Sequence, residues 1–170
     1  MDTHFKYWTE EDKKALNKAE SFKDLAEIGL TVMNRMPKDV HVVSGPISTG
    51  GVGNLLENIE VFRGITEILR QEMGLNILSW VPFELKIRPL LAEWQKCNDK
   101  NSYCTPILDD FYHACFHSGK ITKVHFIHGW ESSFGSRWEH DLCEKLGIEI
   151  NYLSPEFSHK ALKRKSKYAN

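Results

Sequence analysis

The chain has 170 residues, a formal net charge of -1 and four cysteines. This length suits one domain with a substantial hydrophobic core, and the nearly balanced charge excludes a general electrostatic attraction to nucleic acid. No two cysteines form a Cys-x-x-Cys pair, no apolar run is long enough to span a membrane, and the first residues lack a basic-then-apolar signal pattern. We therefore expect a cytoplasmic protein with free thiols and with neither a membrane nor a nucleic-acid partner.

The first 37 residues are predicted to form an N-terminal helical arm. Thr9 and Ser21 are suitable N-caps for two helices, and Pro37 stops the second one. The sequence leaves two roles open for this arm: it covers an edge of the sheet, or it contacts a second copy of the chain in a homodimer. Residues 38–170 are expected to form the main domain.

From residue 38 onward, predicted strands alternate with predicted helices. β-branched residues around Val42 indicate a first strand at about 39–44, and an apolar stripe indicates a helix at about 54–73. Further strands are expected at 75–80, 124–128 and 148–153, and further helices at 106–118 and 136–146. The alternation predicts an α/β fold, a Rossmann-like (flavodoxin-like) three-layer sandwich with a mainly parallel sheet. Ligands of such folds bind at the carboxyl ends of the strands.

The loop after the first strand consists almost entirely of small residues. It reads Gly45-Pro46-Ile47-Ser48-Thr49-Gly50-Gly51, and Asn54 is a suitable N-cap for the helix behind it. Such a loop lets a ligand approach the backbone closely, and the helix N-terminus attracts anions. The loop matches neither of the glycine-rich nucleotide-binding motifs, so no cofactor is expected, and a tight turn without a ligand is the alternative interpretation.

A second loop, Gly129 to Gly135, follows the third predicted strand and lies at the same end of the sheet. Ser132, Ser133 and the amides near Gly135 are placed to hold a phosphate or a ribose hydroxyl. Trp130 is a candidate for stacking on a base, with a core or lid role as the alternative.

Glu139 lies at the start of the next predicted helix, where a carboxylate beside a sugar can attack the anomeric carbon. The competing interpretation is structural, because Ser136-Arg137-Trp138-Glu139 has the pattern of a capping box.

Glu84 follows the second strand and is a candidate for binding a ribose hydroxyl. The alternative interpretation is that Glu84 is an ordinary acidic residue at a helix N-terminus. His113 and His117 have a metal-compatible spacing, but no acidic or cysteine cluster completes a site, and no metal is predicted. Residues 98–105 are polar and are expected to form a surface connection.

Both loops resemble signatures of the nucleoside 2-deoxyribosyltransferase superfamily, which includes the 2′-deoxynucleoside 5′-phosphate N-hydrolases. Ser44-Gly45-Pro46-Ile47-Ser48-Thr49-Gly50-Gly51 resembles the first-strand loop, and Ser133-Phe134-Gly135-Ser136-Arg137-Trp138-Glu139 resembles the second signature. Leu146-Gly147-Ile148 fits the end of the following helix. The resemblance covers about residues 38–153 and implies a nucleoside 2-deoxyribosyltransferase-like domain.

The resemblance also implies roles for single residues. Glu139 matches the nucleophile that forms a glycosyl-enzyme intermediate, and Ser133 matches the serine that holds a 5′-phosphate. The family's aspartate ahead of the third strand, an acid/base or base-binding group, corresponds best to Asp110. The loop around sugar and phosphate corresponds to Gly45, Ile47, Ser48, Gly50 and Gly51.

Two positions depart from the family pattern. Ser48 stands where the hydrolases often carry arginine, and Glu131 is the one acidic residue that can replace the family's acidic residue after the third strand. The resemblance implies hydrolysis or base exchange at the N-glycosidic bond of a nucleoside or nucleoside 5′-monophosphate. The alternatives are a non-catalytic module that binds a nucleotide-derived ligand, and a structural protein that uses its N-terminal arm.

Overall fold

The computed structural model describes residues 3–47, 55–99 and 101–168. Within them, four parallel strands form one sheet in the order β2-β1-β3-β4. The strands are β1 (Val40–Ser44), β2 (Asn76–Leu78), β3 (Ile121–Phe126) and β4 (Glu149–Tyr152). The predicted α/β fold with a parallel sheet is therefore confirmed.

Helices connect the strands and flank the sheet. They are α1 (Glu10–Lys18), α2 (Phe22–Arg35), α3 (Leu55–Gln71), α4 (Val81–Lys96), α5 (His113–His117), α6 (Phe134–Leu146) and α7 (Pro155–Tyr168). A π-helix at Ile107–Tyr112 runs directly into α5, and short 3-10 turns lie at Thr3–Phe5 and Trp130–Ser132. Helix α3 packs against α7, whereas α2 packs against the π-helix and α5. Because crossovers between parallel strands are right-handed, this order of strands places helices on both faces, as in a Rossmann-like three-layer sandwich.

The two predicted N-terminal helices are present and begin at the predicted caps. Thr9 and Ser21 each form a reciprocal capping box with the aspartate three residues later. Their apolar faces join the same hydrophobic core as the sheet: Leu25 and Val32 of α2 are fully buried in it. Both helices of the arm are therefore packed into the domain.

Several element boundaries differ from the prediction. β2 is three residues long because Trp80 already serves as the N-cap of α4 and Pro82 follows in its first turn. The predicted helix at 106–118 begins as the π-helix, which a 3.6-residue period does not reveal. No described helix combines the length and the apolar character that crossing a membrane requires.

The carboxyl ends of β1 and β3 meet at one edge of the sheet. Ser44 pairs with Phe126, and the next amide of the chain, that of Ile127, donates to the Ser44 carbonyl at 2.9 Å. Gly45 follows, at the point where the segments after β1 and β3 come together. A Cβ there would lie 2.8 Å from Cδ1 of Ile127, so a side chain at position 45 would force the two loops apart. Glycine thus allows the loops after β1 and β3 to approach each other at this edge.

Candidate active site

A cavity of about 470 Å³ opens at the carboxyl edge of the sheet. This volume lies within the range of small-molecule binding sites. The wall is contributed by the end of β1 and its loop, by α3 and α4, by the segment 101–112, and by the first two turns of α6. The position matches the ligand site expected for a parallel sheet of this kind.

Glu139 lies in the wall of this cavity and is 7% exposed, and its carboxyl group is the reactive part of the residue. It accepts a hydrogen bond from the hydroxyl of Ser44, the last residue of β1. Burial raises the pKa of Glu139 to about 7, whereas the Ser44 hydrogen bond lowers it, because that bond stabilises the ionised form. A carboxyl group with these properties can exist in both protonation states near neutral pH.

The capping-box interpretation of Ser136 and Glu139 is wrong. The N-cap of α6 is Ser133, whose Oγ accepts a hydrogen bond from the Ser136 amide at 3.4 Å. Helix α6 therefore begins earlier than predicted, and Glu139 lies in its second turn rather than at the N3 position that a capping box requires. The carboxyl of Glu139 has its hydrogen-bond partner on a different strand, 95 residues away in the sequence.

Glu84, in the first turn of α4, brings a second carboxyl group to the cavity. Burial raises the pKa of Glu84 to about 7, and the opposing influence of Arg88, one turn later, is smaller. Among the described residues, Glu84 and Glu139 are the acidic side chains that line the cavity. Two carboxyl groups with pKa values shifted towards neutrality in one cleft are typical of acid/base catalysis.

Four aromatic residues of the wall were not predicted from the sequence as site residues: Phe62, Trp80, Tyr103 and Tyr112. The ring of Tyr112 meets that of Trp80 edge to face, with 5.3 Å between their centroids. Tyr103 lies in the stretch expected to be a surface connection, yet its side chain reaches across to α6. Its hydroxyl would be 2.9 Å from a Cβ built on Gly135. Nothing local in the sequence distinguishes these rings from core or surface aromatics.

Most described candidates from the sequence do meet at this cavity. Its wall includes these six predicted residues: Gly45, Ile47, Glu84, Ser133, Gly135 and Glu139. Pro46 is buried beside it without lining it. The predicted loop residues Ser48, Thr49, Gly50, Gly51 and Asn54 lie outside the described residues.

Besides Pro46, three predicted site residues do not line the cavity. Trp130 stacks on His140 of α6 with 4.4 Å between ring centroids, and its ring also meets that of Phe126 of β3 at 5.1 Å. Ser132 is exposed, and its hydroxyl donates to the Gly129 carbonyl at 2.7 Å. Asp110 lies on the π-helix, whose cavity-lining residues are Ile107, Leu108 and Tyr112.

Possible metal ligands lie elsewhere. His113 and His117 stack on each other at 3.8 Å, and Nδ1 of His117 is 3.0 Å from the His113 carbonyl oxygen, which gives this ring a partner in its own helix. His140, Asp141 and Glu144 offer ligand atoms within 4.8 Å of one another on the outer side of α6. The His140 ring is already paired with the Tyr152 hydroxyl at 2.6 Å. None of these five residues lines the cavity.

Comparisons of the chain with protein-family models, with curated proteins and with solved structures find no match. The chemistry of the cavity itself is therefore the basis for assigning a function.

Proposed function

We propose that the protein hydrolyses or exchanges the N-glycosidic bond of a nucleoside or nucleoside 5′-monophosphate, with Glu139 as the nucleophile. The observation that carries this proposal is the buried Glu139 carboxyl, held by Ser44 in the wall of the cavity. The resemblance of the two cavity loops to the nucleoside 2-deoxyribosyltransferase superfamily supports it. So does the cavity volume, which is sufficient for a nucleoside.

In this reaction one oxygen of Glu139 stays hydrogen-bonded to Ser44, and the other attacks C1′ of the sugar. The bond from C1′ to the base nitrogen breaks, and its electron pair leaves with the base. A covalent glycosyl ester of Glu139 results. Water, or the nitrogen of a second base, then attacks C1′ and releases the Glu139 carboxylate. The Ser44 hydrogen bond favours the ionised, nucleophilic form of Glu139.

Glu84 is the group in the cavity best suited to deliver the proton that the departing base requires. With a pKa of about 7, it carries a proton in a large fraction of molecules at neutral pH and can take one from water in the second step. Asp110, the candidate from the family resemblance, lacks this contact with the cavity. Glu84→Gln is therefore expected to slow turnover more than Asp110→Asn does.

The test is an incubation of the protein with ribonucleosides, 2′-deoxyribonucleosides and their 5′-monophosphates, with released base measured by chromatography. We expect release by the wild type and its loss in Glu139→Gln. Glu144→Gln is the matched control, because it removes an exposed carboxyl from the same helix outside the cavity. Equal release by the wild type and Glu139→Gln would refute the assignment of the nucleophile.

The second candidate function is binding of a nucleotide-derived ligand without chemistry. It is favoured by the largely apolar wall, which includes Phe62, Ile87 and Leu91. Binding of a panel member without release of its base, in both the wild type and Glu139→Gln, would establish this alternative.

A cytoplasmic location and a homodimer belong to the same proposal. Cys104, Cys115 and Cys143 are buried free thiols, as expected for a protein that folds in a reducing compartment. Leu56 and Leu85 are 66% and 71% exposed and are candidates for a contact with a second copy. Sedimentation velocity of the purified protein would distinguish a monomer from a homodimer.

A further inference from the structure

Tyr112 occupies an unusual place in the backbone. It is the last residue of the π-helix, in which the amide of His113 donates to the carbonyl of Leu108, five residues earlier. A π-helical turn contains an extra residue and so changes the direction of the side chains on it. Such turns are rare and occur frequently at functional sites. Here the π-helix ends with the side chain of Tyr112 in the cavity wall.

Tyr112 is 8% exposed, and its hydroxyl makes no hydrogen bond with the described residues, yet it is not one of the polar atoms that are closed off from solvent. Burial raises the pKa of the phenol well above 10, and the nearby charges of Glu139 and Glu84 raise it further. The hydroxyl therefore keeps its proton near neutral pH and remains a hydrogen-bond donor on a residue of the cavity wall. A donor that is open to solvent and has no protein partner is available to a ligand.

The neighbouring ring adds an independent observation. Trp80 also lines the cavity and is 2% exposed, and its indole N–H has no hydrogen-bond partner among the described residues. Its ring is in edge-to-face contact with Tyr112. The indole N–H is closed off from solvent, whereas the Tyr112 hydroxyl beside it is not, so of these two donors the hydroxyl is the one that a ligand can reach.

We propose that the Tyr112 hydroxyl binds the substrate, by donating a hydrogen bond to an oxygen or nitrogen acceptor beside the bond that Glu139 attacks. This inference rests on the proposed function, because a nucleoside supplies such acceptors on both its sugar and its base. Tyr112 is then a binding residue, whereas proton transfer to the departing base belongs to Glu84, whose pKa is far lower.

The test replaces Tyr112 with phenylalanine, which removes the hydroxyl and keeps the ring. Tyr7→Phe is the matched control, because the Tyr7 hydroxyl lies outside the cavity wall and donates to Asn76 at 3.0 Å. The melting temperature is measured for each variant without ligand. Dissociation constants are measured by calorimetry in the Glu139→Gln background, which prevents turnover. The probes are uridine, 2′-deoxyuridine, adenosine, 2′-deoxyadenosine, their 5′-monophosphates, and free uracil and adenine.

We expect Tyr112→Phe to keep or raise the melting temperature of the free protein, because the hydroxyl has no partner to lose. The dissociation constant of the bound probe should rise about tenfold, as for the loss of one hydrogen bond. Tyr7→Phe should do the reverse, with a lower melting temperature and unchanged binding. Weaker binding of the free base as well would place the acceptor on the base, whereas an effect on nucleosides alone would place it on the sugar.

Two results would overturn the inference while leaving the proposed function intact. One is an equal dissociation constant with and without the Tyr112 hydroxyl. The other is a fall in the melting temperature of Tyr112→Phe as large as that of Tyr7→Phe, which would reveal a structural partner. No binding of any probe to a protein with Tyr112 in place would refute the proposed function together with the inference.

Discussion

Replacing Glu139 with glutamine is expected to stabilise the folded protein at alkaline pH. The carboxyl is 7% exposed, and burial raises its pKa from 4.5 to about 7, so that ionising it in the folded state costs free energy. Glutamine has nearly the same shape, keeps an oxygen that can accept from Ser44, and carries no charge. A residue retained despite this cost is typical of an active site, where function and stability conflict.

The sign and size of the effect follow from proton linkage. A carboxyl with a raised pKa binds its proton more tightly in the folded state than in the unfolded chain. Its contribution to the free energy of unfolding is therefore largest below pH 4.5 and is lost as the pH rises to about 7. The full difference corresponds to about 3 kcal/mol, and between pH 5 and pH 8.5 it amounts to about 2.5 kcal/mol.

The assay is urea unfolding of the wild type and Glu139→Gln at pH 5 and pH 8.5. The free energy of unfolding of Glu139→Gln minus that of the wild type should be about 2.5 kcal/mol larger at pH 8.5 than at pH 5. Other titrating groups are common to both proteins and cancel in this difference. Glu144→Gln, on the exposed side of α6, is the control for the loss of a carboxylate from this helix outside the cavity. A difference between Glu139→Gln and wild type that is the same at both pH values would refute the reasoning.

Three further predictions concern other parts of the chain. Burial lowers the pKa of His125 to about 4, so the wild type should lose stability as the pH falls from 6.5 towards 4. Urea unfolding at pH 7 and pH 5 should show a smaller loss of stability for His125→Gln than for the wild type. Gly64→Ala would put a Cβ 2.6 Å from that of Ala161 and should lower the melting temperature by separating α3 from α7. Adding Ala161→Gly to this variant should restore part of the lost melting temperature. Gly135→Ala would meet the Tyr103 hydroxyl at 2.9 Å, at the free end of that side chain, and should weaken binding of the nucleoside probes with little change in melting temperature.

Features set by short stretches of sequence were predictable. The capping boxes at Thr9 and Ser21 form because each needs only an aspartate three residues later. The alternation of strands and helices, and with it the parallel sheet, follows from apolar periodicity. Local sequence patterns did not predict the start of α6 correctly, because Ser133 and Ser136 are both acceptable N-caps. The earlier serine is the cap, and Glu139 bonds to Ser44 on a distant strand, which no local pattern encodes.

The rest of the site depended on geometry that the sequence does not display. The π-helix breaks the 3.6-residue period between Ile107 and Tyr112, so positions facing the cavity there could not be counted from an α-helical wheel. The family resemblance implies Asp110 as the acid, whereas the residues of this π-helix that line the cavity are Ile107, Leu108 and Tyr112. Tyr103 reaches Gly135 through a loop whose polar composition indicates only surface. Long-range placement, rather than residue type, determines these contacts.

Burial and a shifted pKa do not by themselves make a polar group of this fold a candidate for ligand binding, as two buried histidines of the sheet show. His41, His125 and Asn151 are linked across three strands, with ring nitrogens 3.0 Å apart and the amide nitrogen 2.9 Å from the second ring. Both histidines are buried and have lowered pKa values, yet each has a partner and needs no ligand. Tyr112 and Trp80 are buried to a similar degree, but their donors have none among the described residues. The Trp80 N–H is closed off from solvent, so the Tyr112 hydroxyl is the unpaired donor of the cavity wall that is available to a ligand.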